Sequence, residues 1–570
     1  MLVFTRCSEE CLSAVKVFLE GYQQVSGQRV NVNKSAFFLA VGATLGQEQM
    51  VTRVLGFHRA CFPFTYLGAP IYKGRRLSSL FDGLVAKMRD HLGHWSTKML
   101  SFGGKRVLAR HVLSSLPMYL LQVLSPPKAV ITRLGIICNS FLWDCRGEKR
   151  LHWAAWDKLC FPTDEGGLGF RSFKDMARAF AAKLWWRFRS GDSIWAEFMH
   201  AKYSNGCHPL AASSIRPSHT WRRLEAIRSL VEPNIRWCVG EGLVDFWNDR
   251  WALNEPLEDV VDGAEQPHFL VSEFLTNEGW DEVRLGQWLP DSVITVIKDV
   301  PFDVSQKDRL VWLPSTSGLF TVKSAWEVLR QRRCPSLVDS LLWQPALPAK
   351  MSFLAWRLVR SFIPLDVVLR SRGLAIPSRC GCCFGEEEAL LHVFVSGPIA
   401  SEVWKRMSSR FGFQLCNCTS MAAVFIAWFL TSEAMSKTHI RVLIPIVVCW
   451  FLWLARNQER FQGGRWEVNR IIREVDSFME QLGRANKLCR SQFSGDADCE
   501  LLRWVRGSPR RRSPCAIAWE RPPFGEFKFN SDASVLQGRA TGGGLLRDYQ
   551  GKVGVAFDKE FGEQGVVEAE

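Results

Sequence analysis

The residues best able to do chemistry lie between Cys380 and His392. They read Cys380-Gly-Cys-Cys383, then Glu386-Glu-Glu388, then His392 inside the apolar run Ala389 to Val395. Two thiols spaced C-x-x-C wrap one cation from a tight turn, and a His nine residues on returns a third ligand from the start of a helix. A closed structural zinc site takes four ligands. The place for the fourth, just past His392, reads Ser396-Gly397-Pro398. Cys382 is a candidate substitute, but adjacent residues in an extended backbone point to opposite sides. Cys416 and Cys418 reach back only through the fold. Two readings stand: Zn2+ on Cys380, Cys383 and His392 with a fourth ligand missing, or reduced cysteines around a helical core with His392 packed.

A second candidate lies in the last fifty residues. Phe527-Lys-Phe-Asn-Ser-Asp532 alternates apolar and polar and puts a carboxylate at the strand's end. Gly542 to Asp548 comes next as a second strand, Tyr549-Gln-Gly551 as a turn, and Val553 to Phe557 as a third strand. Asp532 reads either as a metal ligand or as a strand-end turn residue.

The totals bound what such sites serve. The chain has 570 residues, 47% hydrophobic and 23% charged, which describes a globular protein of three or four domains. A formal charge of +15 favours a polyanionic partner, because Lys and Arg that neutralise phosphates release counterions. Eighteen cysteines are scattered without a paired framework, and Met1-Leu-Val-Phe-Thr-Arg6 is no secretory signal. The expected compartment is reducing, nucleus or cytoplasm, and the chain is not secreted. Val442 to Ala455 is the longest apolar run, interrupted by Pro445 and bracketed by Arg441 and Arg456; it reads as a buried helix, not a membrane span.

The elements between the two candidate sites are mainly helical. Ser8-Glu-Glu10 starts a helix that Ser26-Gly27 ends. Residues 60 to 210 read as helices, in which Lys98, Lys105, Arg106 and Arg110 can meet a phosphate backbone or form a solvated face. Gly166-Gly-Leu-Gly169 lacks the phosphate-loop pattern and reads as a turn. Trp221, Trp237-Cys-Val-Gly240, Phe246-Trp247 and Trp251 read as an aromatic block of two strands serving packing. Met421 to Leu430 and Val442 to Ala455 make a helical hairpin, and Trp466 to Leu482 an amphipathic helix. Arg503 to Pro514, with Arg510-Arg-Arg512, reads as a basic linker able to raise affinity for nucleic acid.

Several landmarks carry a resemblance. Ser317-Gly-Leu-Phe-Thr-Val-Lys-Ser-Ala-Trp326, Trp343, Leu347-Pro-Ala-Lys350, Phe353-Leu-Ala-Trp-Arg357, Ile363-Pro364, Leu391-His392 and Trp404 surround the cysteines. With them this stretch resembles the zinc-binding domain of plant LINE-type (non-LTR) retrotransposon reverse transcriptases, a family that places a cysteine where this chain has Gly397. Ser26-Gly-Gln28 and Asn33-Lys-Ser35 are similar to the reverse transcriptase palm just after its aspartate pair. Tyr66-Leu-Gly-Ala-Pro70, Leu100 to Arg106 and Lys183-Leu-Trp-Trp-Arg187 are similar to its thumb and the region beyond the thumb. Phe529-Asn-Ser-Asp-Ala-Ser534 and Gly543-Gly-Leu-Leu-Arg-Asp548 resemble the start of a type 1 ribonuclease H.

The resemblance implies an α+β, multidomain chain. Its segments would be a palm remnant (1–45), a helical thumb-like region (60–210), an aromatic-rich connector (215–315), a zinc-binding-like domain (318–410), a helical region (420–490), a basic linker (500–522) and a ribonuclease H-like domain (523–570). It implies RNA, DNA or RNA–DNA hybrid as partner, and two Mg2+ ions that activate water and stabilise charge on the scissile phosphate. By resemblance Asp532 bridges those ions and Glu570 holds one, with Glu568 its nearest rival. The family takes further carboxylates, and the polymerase aspartate pair would precede Met1. The expectation is therefore a reverse transcriptase and ribonuclease H-like protein that binds nucleic acid and is catalytically incomplete. The alternatives are a non-catalytic interaction module and an unselected remnant.

Overall fold

The computed structural model describes residues 2–40, 42–93, 100–143, 152–261, 267–276, 279–415, 418–430, 439–493, 504, 521–536 and 539–563, with backbone alone for 532–536, 539–541, 559 and 561–563. The chain forms two compact units, Met1–Trp504 and Val505–Glu570. The first is mainly helical and the second is a β-meander, so the α+β, multidomain expectation holds.

Local signals set the helix ends. The Ser8 hydroxyl accepts from Cys11 N and Gly27 closes the Glu9–Ser26 helix at φ 69°. Ser172 and Ser218 cap the N-termini of helices Phe173–Ser190 and His219–Val231 in the same way. These two helices pack with Val322–Leu329 around Trp185, Trp221 and Trp312, all fully buried. The aromatic block departs from the expected pair of strands. Trp221 is helical, and the strand Ile235–Cys238 pairs antiparallel with Arg309–Trp312, far along the chain. Phe246, Trp247 and Trp251 instead fill a loop core, held by Asp245 and Asp249. Tertiary burial of the rings, not strand pairing, decides this segment.

Beside that core lies an ionic cluster. Arg189 pairs with Glu232 at 3.0 Å and with Asp249, while His208 Nε2 stands 3.1 Å from Asp249. Burial opposes ionisation of Asp249, yet Arg189 and His208 overcome it and hold the carboxyl down at about 2.

The 166–169 segment is a turn, as its glycines indicate, with Gly166 at φ 86° and Gly169 at φ 76°. At Gly167 a Cβ would fall 1.9 Å from the Phe161 carbonyl oxygen, so only glycine fits. Distant residues clasp this turn. Glu165 accepts from both Nη atoms of Arg330, at 2.8 and 2.6 Å, and Trp356 Nε1 donates to the Gly166 carbonyl at 3.0 Å.

The His392 turn packs on helices Pro398–Ser409 and Ile440–Gln462, and the second of these packs in turn on Ala349–Val359, Met421–Phe429 and Val468–Arg484. Ile440–Gln462 is long and apolar enough to cross a membrane by composition, but 67% of its apolar window is buried inside the fold. Arg441 and Arg456 on it are buried as well, and Arg456 is paired with Glu388. It is a core helix, as the sequence implied.

In the second unit Lys528–Leu536, Arg539–Arg547 and Val553–Glu563 form a three-stranded antiparallel meander with the middle strand central. Asp532 lies opposite Gly543, mid-strand, which corrects its expected place at a strand end. The ladder runs on because the glycine-rich partner pairs along its whole length.

Candidate metal centre

Residues 380–386 form a tight loop. Phe384 N donates to the Cys380 carbonyl at 2.9 Å and Cys380 N to the Glu386 carbonyl at 2.7 Å, with Phe384 at φ 56°. The chain then enters a turn in which Gly397 N donates to the His392 carbonyl five residues back, at 2.8 Å. That wide turn carries His392 inward, where it is buried.

The loop and the turn bring Cys380, Cys382, Cys383 and His392 together, with one ligand atom of each within 4.8 Å of all the others. Cys380 Sγ lies 3.2 Å from Cys382 Sγ, and Cys383 Sγ lies 3.3 Å from His392 Nε2. Around a tetrahedral zinc, with Zn–S about 2.3 Å and Zn–N about 2.0 Å, ligand atoms stand roughly 3.5 to 3.8 Å apart. The contacts of 3.2 and 3.3 Å and the outer limit of 4.8 Å bracket that spacing, and three sulfurs with an imidazole suit zinc in softness. An extended backbone would have turned Cys382 away from its neighbours; the bend at 380–384 brings its thiol to the same side.

Each of the three glutamates has its own partner. Glu386 Oε2 lies 2.7 Å from His392 Nδ1, so Nδ1 carries the proton and the Nε2 lone pair faces the sulfurs. Glu387 pairs with Arg370 at the surface. Glu388 is buried against Arg456, and its Oε2 also accepts from Asp366 N at 3.2 Å. Gly381 passes so close to the long helix that a Cβ there would lie 2.0 Å from Glu459 Oε2. Burial, with Glu388 and Cys380 nearby, raises the Glu459 carboxyl. Cys380 and Cys382 titrate as a pair: the hydrogen bond between their sulfurs lowers Cys380 and raises Cys382, so the first proton leaves readily and the second does not.

The cations expected to meet nucleic acid divide into two groups. Lys105 is buried and Arg106 faces inward, donating Nε to the Leu168 carbonyl at 3.0 Å and stacking its guanidinium 4.3 Å from the Trp343 ring centre. Burial and the neighbouring Arg110 lower Arg106 to about 10. Both side chains therefore serve packing, because the Phe102–Leu108 helix turns them toward the core. Lys98, Arg510, Arg511 and Arg512 lie outside the described residues, as do Cys416, Glu568 and Glu570. Cys418 is described and takes no part in the cluster. Asp532 is placed by its backbone alone.

A basic surface that residue spacing did not point to lies elsewhere. His219 Nε2 is 3.1 Å from the Gly74 carbonyl and its ring lies 5.6 Å from that of Tyr72, which anchors the 72–76 loop to the His219–Val231 helix. Lys73, Arg75, Arg216 and Arg222 are exposed around this contact. The run Tyr72-Lys-Gly-Arg-Arg76 is its available signal in the sequence.

The Cys/His cluster lies in the mainly helical unit, and the three-stranded meander belongs to the other. Residues 320–404 match the family described as zinc-binding in reverse transcriptase. Over 528 residues, 88% of this chain and 81% of the other, the sequence is 25% identical to an Arabidopsis thaliana protein provisionally named as a ribonuclease H protein. Both findings bear out the resemblance drawn from the residues, to a reverse transcriptase/ribonuclease H-like protein derived from a retroelement.

Proposed function

We propose that the chain binds nucleic acid, with RNA–DNA hybrid as the favoured form, through a domain stiffened by a structural zinc. The supporting observation is the convergence of Cys380, Cys383 and His392 inside the segment matched to reverse transcriptase zinc-binding domains. The zinc would cross-link the 380–386 loop to the turn that carries His392. A net charge of +15 supplies attraction to phosphates, and Lys73, Arg75, Arg216 and Arg222 offer exposed cations for it. Residue types with exposed positive charge position a nucleic-acid backbone without reading its sequence. The work would be done in the nucleus or cytoplasm.

Hybrid cleavage through Mg2+ requires more carboxylates than Asp532 and Glu570. Binding of hybrid is the activity proposed for this chain. The experiment is fluorescence anisotropy of a labelled RNA–DNA hybrid against salt, with Mg2+-dependent cleavage followed in parallel and Asp532→Asn as comparison. Binding that weakens linearly in log–log with salt supports the reading, and Mg2+-dependent cleavage that Asp532→Asn abolishes would add an activity to it. Absence of binding overturns it.

A further inference from the structure

The geometry points to Cys382 as the fourth zinc ligand, in place of a residue at position 397. This rests on the zinc reading above and adds to it the identity of the ligand that spacing leaves missing.

Position 397 faces the centre but cannot fill it. A Cβ built on Gly397 would stand 3.2 Å from His392 Nε2, and only 2.5 Å from the His392 carbonyl oxygen. That carbonyl accepts from Gly397 N at 2.8 Å, so the turn closes on itself at this point. Any side chain there would have to open it. The ligand is supplied from across the centre. The bend that bonds Phe384 N to the Cys380 carbonyl carries Cys382 Sγ to 3.2 Å from Cys380 Sγ, and all four donor atoms lie within 4.8 Å of one another. Gly381 permits the bend to sit against the Ile440–Gln462 helix, where a Cβ would collide with the Glu459 carboxylate. Glycines at 381 and 397 and a cysteine at 382 are thus parts of one arrangement: a C-x-C-C loop giving three thiolates, closed by one imidazole. Binding zinc would release the thiol protons to solvent, leaving a centre of formal charge −1.

The test uses the full chain loaded with zinc and treated with iodoacetamide, with peptide mass mapping as the readout. We expect one zinc per chain, with Cys380, Cys382 and Cys383 protected while the exposed Cys207 and Cys334 are alkylated. Alkylation of Cys382 beside protected Cys380 and Cys383 would overturn the assignment and leave the zinc reading standing. A wild type that takes up no zinc would overturn both. As an independent readout, the Co2+-substituted protein should carry a three-thiolate charge-transfer band. Cys382→Ser should lose about a third of its intensity and raise the zinc dissociation constant at least about 100-fold, above the usual cost of an outer-shell partner. An unchanged band in Cys382→Ser would count against the assignment.

Discussion

Glu388 and Arg456 form a two-pronged ion pair, Oε1 to Nε at 2.6 Å and Oε2 to Nη2 at 2.8 Å, with both side chains almost wholly withdrawn from solvent. The pair ties the end of the cysteine segment to the C-terminal third of helix Ile440–Gln462. Replacing Glu388 by Gln strands a buried guanidinium. We expect a loss of about 3 to 5 kcal/mol in urea unfolding, the range for breaking one side of a buried pair. A loss below about 1 kcal/mol would show that the loop is held by other contacts.

Glu386 has the opposite character, an exposed carboxylate whose partner is buried. Glu386→Gln should weaken zinc binding by about 10- to 100-fold through loss of the imidazole's orientation. The unfolding of the metal-free protein should stay unchanged. Competition with a chromophoric chelator reads the first quantity and thermal denaturation the second.

Gly167→Ala drives a Cβ to within 1.9 Å of a backbone oxygen that has no freedom to withdraw. Destabilisation of at least about 3 kcal/mol is expected, at the upper end for single substitutions. Gly191→Ala, where a Cβ meets nothing within 4 Å, serves as the comparison. Its cost should be confined to the strain of a φ of 72°.

Asp249 sets an acid limit. Its carboxyl is held at about 2 in the fold, below its ordinary value of 3.8. Its contribution is therefore complete above about pH 4 and is lost as pH falls toward about 2, amounting to roughly 2 to 3 kcal/mol. Urea unfolding of the wild type should lose that much more across this window than Asp249→Asn does. Equal losses would place the acid sensitivity elsewhere.

Cations at the surface and in the core should behave differently toward hybrid. Arg75→Ala and Arg222→Ala should each weaken binding at low salt and reduce the salt slope by about one unit. Arg106→Ala should leave the slope unchanged and lower stability, because its guanidinium is spent on the Leu168 carbonyl and the Trp343 ring. Anisotropy titrations at several salt concentrations separate the two effects.

The range of each interaction decides whether the sequence discloses it or conceals it. Spacing alone locates Cys380, Cys383 and His392, since a loop and the helix start after it are near neighbours in the chain. The caps at Ser8 and Gly27 are legible for the same reason. Cys382 is hidden by the expectation of an extended backbone, which only the positive φ at Phe384 and the bonds around it correct. Lys105 looks like a surface cation because one residue of a short helix does not declare which way it faces. The partner of Glu388 lies 68 residues on, beyond any local pattern. The pairing of Ile235–Cys238 with Arg309–Trp312 spans a similar gap, so the aromatic block reads locally as its own sheet.

The clasp around the 163–167 turn has a consequence for how the molecule is made. Glu165 waits for Arg330, 165 residues later, and the Gly166 carbonyl for Trp356, 190 residues later. At a ribosomal pace of about 5 to 20 residues per second, the waiting time is on the order of ten to forty seconds. Until then the nascent chain carries an unclasped hydrophobic half, a natural client for chaperones. A ribosome paused before residue 330 would thus present an unfinished first unit, and a protease added at that moment should cut near the turn that is sheltered in the finished protein.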